Sequence, residues 1–252
     1  MKHKGFKRYV SILLAVILVM GMLPLSILTA SAFVADLTYY TASWDDSTGE
    51  VITTGASLPE GAVDLTVKYP GLPYAITFEN GGFYYVSHSC TYNERAAVSG
   101  HATLFIPDGV ALEFRKGITL SQGSTLTVCG GELSTGELHA NANSDDCAGI
   151  GGMKDGNCGS LIVMGGQITA RGGTDAAGIG GGDEGSLNGD VVVYRGVICT
   201  YGGKYGAGIG GGYYGKMYNL TVYGGWINAY GGKYGAGIGG GEGGSQLGTI
   251  TV

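Results

Sequence analysis

The sequence predicts an all-β chain wound into a parallel β-helix with coils of 29–30 residues, and three observations carry that prediction. The first is a repeat. Gly-Ile recurs at Gly149-Ile150, Gly178-Ile179, Gly208-Ile209 and Gly237-Ile238, in steps of 29, 30 and 29, and the word KYGAGIGGG occurs unchanged at 204–212 and 233–241. The second is a set of aliphatic columns. Aligned on Gly-Ile, Leu161, Val191, Leu220 and Ile250 share one place, and Val163, Val193, Val222 and Val252 share another. Ile168, Ile198 and Ile227 share a third, and the residues between them vary. Such period-two alternation marks strands with one buried face. The third is an exclusion. No segment has a 3.6-residue period and Gly-Gly interrupts every eight or so residues, which rules out helical repeats. A propeller blade needs about 40 residues and four antiparallel strands.

Taken in chain order, MKHKGFKR followed by an apolar run and the small-x-small site Ala30-Ser31-Ala32 reads as a secretory signal peptide over 1–32. Residues 33–100 lack the register and read as a β-rich lead-in or cap. Residues 101–252 carry the coils. The first of these are weak: Leu104, Ile106, Val110, Leu112 and Phe114 alternate, Gly117-Ile118 takes the Gly-Ile place, and Leu126, Val128, Leu138 and Ala140 follow. The sequence stops at Val252 where another GG-x-I-x-A is due, so a truncated parent chain is expected.

Composition narrows the partners. Glycine is 51 of 252 residues, with no strict G-X-Y period and only five prolines, so collagen is excluded. Plentiful β-branched and aromatic residues argue against Gly/Ser disorder. Without the four basic residues of 1–32, 10 of the 14 Lys+Arg remain against 20 Asp+Glu, a net charge near −10. That disfavours nucleic acid and anionic membrane as partners. The five cysteines have no CxxC spacing, and their odd number leaves at least one free thiol.

In GAGIGGG, Ala207, Ile209 and Gly211 are expected to point inward and Gly206, Gly208 and Gly210 outward. Two readings are open. Glycine supplies unusual backbone angles and close packing of coils, or it leaves a flat backbone face, rimmed by tyrosines, on which a sugar ring or another sheet lies.

The lead YYVSHSCTYNERAAVSGHATLFIPDGVALEFRKGITLSQGSTLTV, followed by AGIGGG and G-x-I-x-A-x-GG units, resembles a group of glycine-rich exported surface proteins of gut Firmicutes. The resemblance covers about 84–252. It implies a right-handed parallel β-helix, an extracellular or cell-surface location, and an adhesin-like or carbohydrate-binding role. It transfers no catalytic residue.

The remaining motifs are sparse. The acidic pairs Asp45-Asp46, Asp145-Asp146 and Asp183-Glu184 do not form the paired carboxylates of a glycosidase by sequence. Asp183, Glu184 and Asp190 crowd one corner with hard oxygens of the kind calcium takes, but the calcium-binding nonapeptide is absent. The match of Gly206, Gly208 and Gly211 to a dinucleotide fingerprint has no helix after it. Neither a metal nor a cofactor is assigned. Aromatic content is the best clue. Tyr201, Tyr205, Tyr213, Tyr214, Trp226, Tyr230 and Tyr234 crowd two coils, with Tyr201 aligned to Tyr230 and Tyr205 to Tyr234. Such a ladder can serve sugar rings or another surface protein, or can simply shield the flank. The expected function is a non-enzymatic exported surface protein that binds through this flank. The alternatives are a polysaccharide-active β-helix enzyme with its catalytic residues outside this chain, and a structural spacer.

Overall fold

A computed structural model describes residues 37–70, 75–142 and 144–252; the expected signal segment lies outside them. A hairpin of β1 (Thr38–Asp45) and β2 (Glu50–Ser57) comes first. The chain then lays short strands in turn onto three parallel sheets. Sheet A contains β3 (Val63–Asp64), β5 (Phe83–Tyr85), β8 (His101–Ile106), β11 (Thr125–Gly130), β14 (Ser160–Val163), β17 (Leu187–Val193), β20 (Met217–Val222) and β23 (Ile250–Thr251). Sheet B contains β4 (Thr77–Phe78), β7 (Ala96–Val98), β10 (Ile118–Leu120), β13 (Ile150–Gly151), β16 (Ile179–Gly180), β19 (Ile209–Gly210) and β22 (Ile238–Gly239). Sheet C contains β6 (Cys90–Tyr92), β9 (Ala111–Phe114), β12 (Glu137–Asn141), β15 (Gln167–Arg171), β18 (Val197–Tyr201) and β21 (Trp226–Tyr230). This is a parallel β-helix.

The register follows the aliphatic columns. Ile150 pairs with Ile179, Ile179 with Ile209 and Ile209 with Ile238. Leu161 pairs with Val191, Val191 with Leu220 and Leu220 with Ile250. Ile168, Ile198 and Ile227 form a further row. Ile150, Leu161, Val163, Ile168, Ile179 and Ile209 are all fully buried in one continuous core. Each contributes about 1.5–3 kcal/mol by leaving water. That is enough to offset the glycines of the turns.

The parallel ladders run further back than the sequence boundary at residue 100. Val63 pairs with Tyr84, Tyr84 with Leu104 and Leu104 with Val128, in steps of 21, 20 and 24. One long step, Thr125 to Ser160, leads into the 29–30-residue coils. The early coils are shorter and lack the AGIGGG turn, so the repeat that marks the later ones does not reach them. The cap is a single turn of helix, α1 (Leu65–Lys68), started by Asp64, whose carboxylate accepts from the Thr66 N–H. Its Leu65 is buried at the end of the core, and the Tyr92 hydroxyl donates to the Leu65 carbonyl at 2.8 Å.

The β1–β2 hairpin lies along the axis, outside sheet A. Tyr39 packs on Phe83 and Phe105, Tyr40 pairs with Gly130, and Trp44 stacks on Tyr223 at 4.9 Å. Tyr39 and Trp44 are five residues apart, roughly 17 Å of extended chain. Phe105 and Tyr223 are four sheet levels apart, roughly 19 Å. The hairpin covers an outward apolar row that includes Phe105 and Cys129, both buried. Burial pushes the Cys129 thiol up to about 12. All five cysteines are free thiols.

Candidate functional site

The two glycine-rich turns of each later coil decide what the flank presents. The turn before the Gly-Ile strand and the turn after it hydrogen-bond to each other across coils: Asp183 N–H to the Asp146 carbonyl, Tyr213 N–H to Asp175, and Glu242 N–H to Tyr205. They close over the strand, so Gly206, Gly208 and Gly210 are buried together with Ala207 and Ile209. The open, flat glycine face expected from alternation is therefore absent from this coil. At Gly210 the backbone has a φ of +141°, and a Cβ would collide with the Gly239 carbonyl of the next coil. The same angle recurs at Gly151, Gly180 and Gly239. Glycine serves close coil packing here.

The tyrosines are brought together in two rows. Tyr201 and Tyr230, at the ends of β18 and β21, stack at 5.2 Å with planes 12° apart. Tyr205 and Tyr234, in the following turns, stack at 5.4 Å and 11°. Tyr213 joins the second row through Tyr205 at 5.5 Å and touches Tyr214 at 4.0 Å. Trp226 stands apart at the opposite end of β21, exposed, with its indole N–H on Asn228 at 2.9 Å. Tyr214, Trp226, Tyr230 and Tyr234 are exposed, whereas Tyr201, Tyr205 and Tyr213 stand half-buried behind them. All seven candidate residues thus lie on the later coils, six of them in the rows.

Three cations lie on the rings, and sequence reasoning did not single them out. The Arg171 guanidinium is 3.8 Å from the centre of Tyr201, Lys204 4.4 Å from Tyr205, and Lys233 4.8 Å from Tyr234. The signal was in the repeated word, where a lysine precedes each turn tyrosine. The Tyr205 hydroxyl holds Lys204 above its ordinary range. Tyr213 shares a hydrogen bond with Tyr214 at 3.0 Å and is pushed up to about 12. At neutral pH the flank therefore offers phenol hydroxyls and fixed positive charges.

Other candidates resolve differently. Asp183 is paired with Lys154 at 2.9 Å, and Asp190, on β17, accepts from Asn219 at 2.9 Å, so the acidic corner is already engaged. Asp175 beside it is held above the usual carboxylate range by burial and by Asp183, Asp146 and Asp145. Among the described residues no group of three or more His, Cys, Asp or Glu side chains is placed to hold a metal ion. Asp45 caps the hairpin turn through Ser47 at 2.8 and 2.6 Å. On sheet C, His139 is in register with Glu113 and 2.9 Å from Glu137. Unequal coil lengths hid that grouping from the sequence. A cleft of about 350 Å³ beside α1 is lined by Thr66, Tyr69, Pro70, His88, Cys90, Thr91 and Tyr92. Burial pushes its Cys90 thiol up to about 11, which makes it a poor nucleophile at neutral pH.

No protein-family model matches the chain, and neither does any curated protein or solved structure. The geometry of the flank is what remains to carry a functional reading.

Proposed function

We propose that this is an exported, non-enzymatic surface protein whose β-helix presents the tyrosine flank of its glycine-rich coils as an adhesin-like binding face for glycans. The observation that supports it is the pair of ring rows, Tyr201–Tyr230 and Tyr205–Tyr234, held one coil apart by the backbone register. Their positions are set before any ligand arrives, which lowers the ordering cost of binding. Tyrosine and tryptophan offer apolar area and a polar tip together, a combination suited to sugar hydroxyls and ring C–H groups. The Glu113, Glu137 and His139 group lies on the open face of sheet C rather than in a cleft that would exclude water, and it supports cleavage less well.

The test is a glycan array probed with the purified protein and with a Trp226→Ala/Tyr230→Ala/Tyr234→Ala variant of matching β-rich circular dichroism. Binding by the parent and its loss in the variant is the expected result. Equal binding by both, or none by the folded parent, would overturn the reading.

A further inference from the structure

Resting on that reading, we infer that the glycan is an anionic one, a uronate- or sulfate-bearing chain laid along the solenoid axis. Its negative groups would meet Arg171, Lys204 and Lys233. The stacking itself points this way. Within each row the rings cover one another's faces; Arg171 lies over the remaining face of Tyr201, and Lys204 sits at the edge of the second row, on the Tyr205 hydroxyl and 4.4 and 5.9 Å from the Tyr205 and Tyr234 ring centres. Open ring face in the rows is therefore mainly that of Tyr230 and Tyr234, and the exposed Arg171, Lys204 and Lys233 heads stand beside it.

The charges stand outside ion pairs. Arg115, Lys116 and Lys154 each have a carboxylate partner, at 3.5, 2.8 and 2.9 Å. Among the described residues Arg171, Lys204 and Lys233 have no carboxylate within 4.0 Å. The acidic groups facing them are Glu242, whose charge acts on Lys204, and Asp175 one coil away, in the place that Tyr205 fills on its own coil. In a chain of formal net charge −6, three unpaired cations on one flank form a local site of opposite sign.

Lys204 and Lys233 hold the same place on successive coils, after β18 and β21, and Arg171 ends β15 one coil earlier, in register with Tyr201 and three residues ahead of that place. Coils rise by about 4.8 Å, the separation of neighbouring strands. That rise is close to the length of one pyranose ring in an extended polysaccharide, so a polyuronate presents one carboxylate per coil. Ring contact holds the ammonium and guanidinium heads in place and strips part of their water, which strengthens pairing with a carboxylate or sulfate.

The experiment is titration calorimetry of the protein with oligogalacturonate, a sulfated heparin-type oligosaccharide and a neutral cello-oligosaccharide of equal length, at 50 and 300 mM NaCl. At least one anionic chain is expected to bind tenfold or more tighter than the neutral one and to weaken as salt rises. Lys204→Ala/Lys233→Ala should remove most of that difference, while Lys68→Ala/Lys216→Ala, on exposed lysines elsewhere, leaves it intact. Equal, salt-insensitive binding of the neutral chain would overturn the inference and leave the glycan-binding reading standing. An equal loss in both lysine pairs would mean diffuse charge attraction and also overturn it. Binding of none of the three by folded protein would take down both.

Discussion

The early coils and the glycine coils use the same three-sheet frame and fill it in opposite ways. One inward position on sheet C shows this. It reads Tyr92, Phe114, Ala140, Ala170, Thr200 and Ala229 through successive levels. In the short coils two stacked rings, 5.5 Å apart, fill the space. In the long coils the added residues fold into the turns, and the backbone of Gly149 comes so close to the Ala140 carbonyl and the Arg171 amide that a Cβ there would lie at 2.8 and 2.7 Å. Backbone replaces side chain as the filler. The junction is held by Arg95, which donates to the carbonyls of Lys116, Ile118 and Ala148 and to the Thr119 hydroxyl at 2.6–3.2 Å. Those oxygens face each other where the coil length changes. The lesson is that one fold tolerates two packing chemistries if the seam between them is hydrogen-bonded.

Four substitutions sharpen that contrast. Ile209→Asp should act most strongly. It buries a charge between Ile179 and Ile238, costs about 4 kcal/mol or more, and in urea should separate unfolding of the glycine coils from that of the early ones. A single unshifted transition would contradict the column packing. Next come two glycines with positive φ in the two regions. Gly109, in an early turn with φ +73°, has open space around its Cβ direction, so Gly109→Ala should cost about 1 kcal/mol. Gly210→Ala must also displace the Gly239 carbonyl and should cost about 3 kcal/mol or more. Equal melting shifts for the two would show that coil-to-coil contact is not what demands glycine. The smallest effect is a gain. The Thr200 hydroxyl is buried in the alanine row without a hydrogen-bond partner among the described residues. Thr200→Ala should therefore raise stability by about 1 kcal/mol in the same urea assay; a loss would mean the hydroxyl is satisfied.

What could be read from sequence follows the same division. Ile150, Leu161, Ile168 and their successors were legible because a constant 29–30-residue step puts identical chemistry in identical places. Tyr201 with Tyr230, and Tyr205 with Tyr234, were legible for the same reason. Val63, Tyr84 and Leu104 were not, since steps of 20–24 residues carry no shared word. The closure of the turns over Gly208 was hidden as well, because it depends on hydrogen bonds between turns of different coils, which alternation within one strand cannot express. The ring-bound cations were visible as letters but not as contacts.

The axial hairpin has a consequence for the order of events during synthesis. Thr38–Ser57 leaves the ribosome before any of the coils, yet Trp44 rests on Tyr223, a residue made about 180 positions later. Coils can add one on another by local contact, but this strap has nowhere to finish docking until β20 has been laid. Until then its two strands travel with unpaired edges, the kind of surface on which chains pair wrongly. A protein built this way is completed from both directions at once: the later coils arrive, and the early hairpin closes down along them.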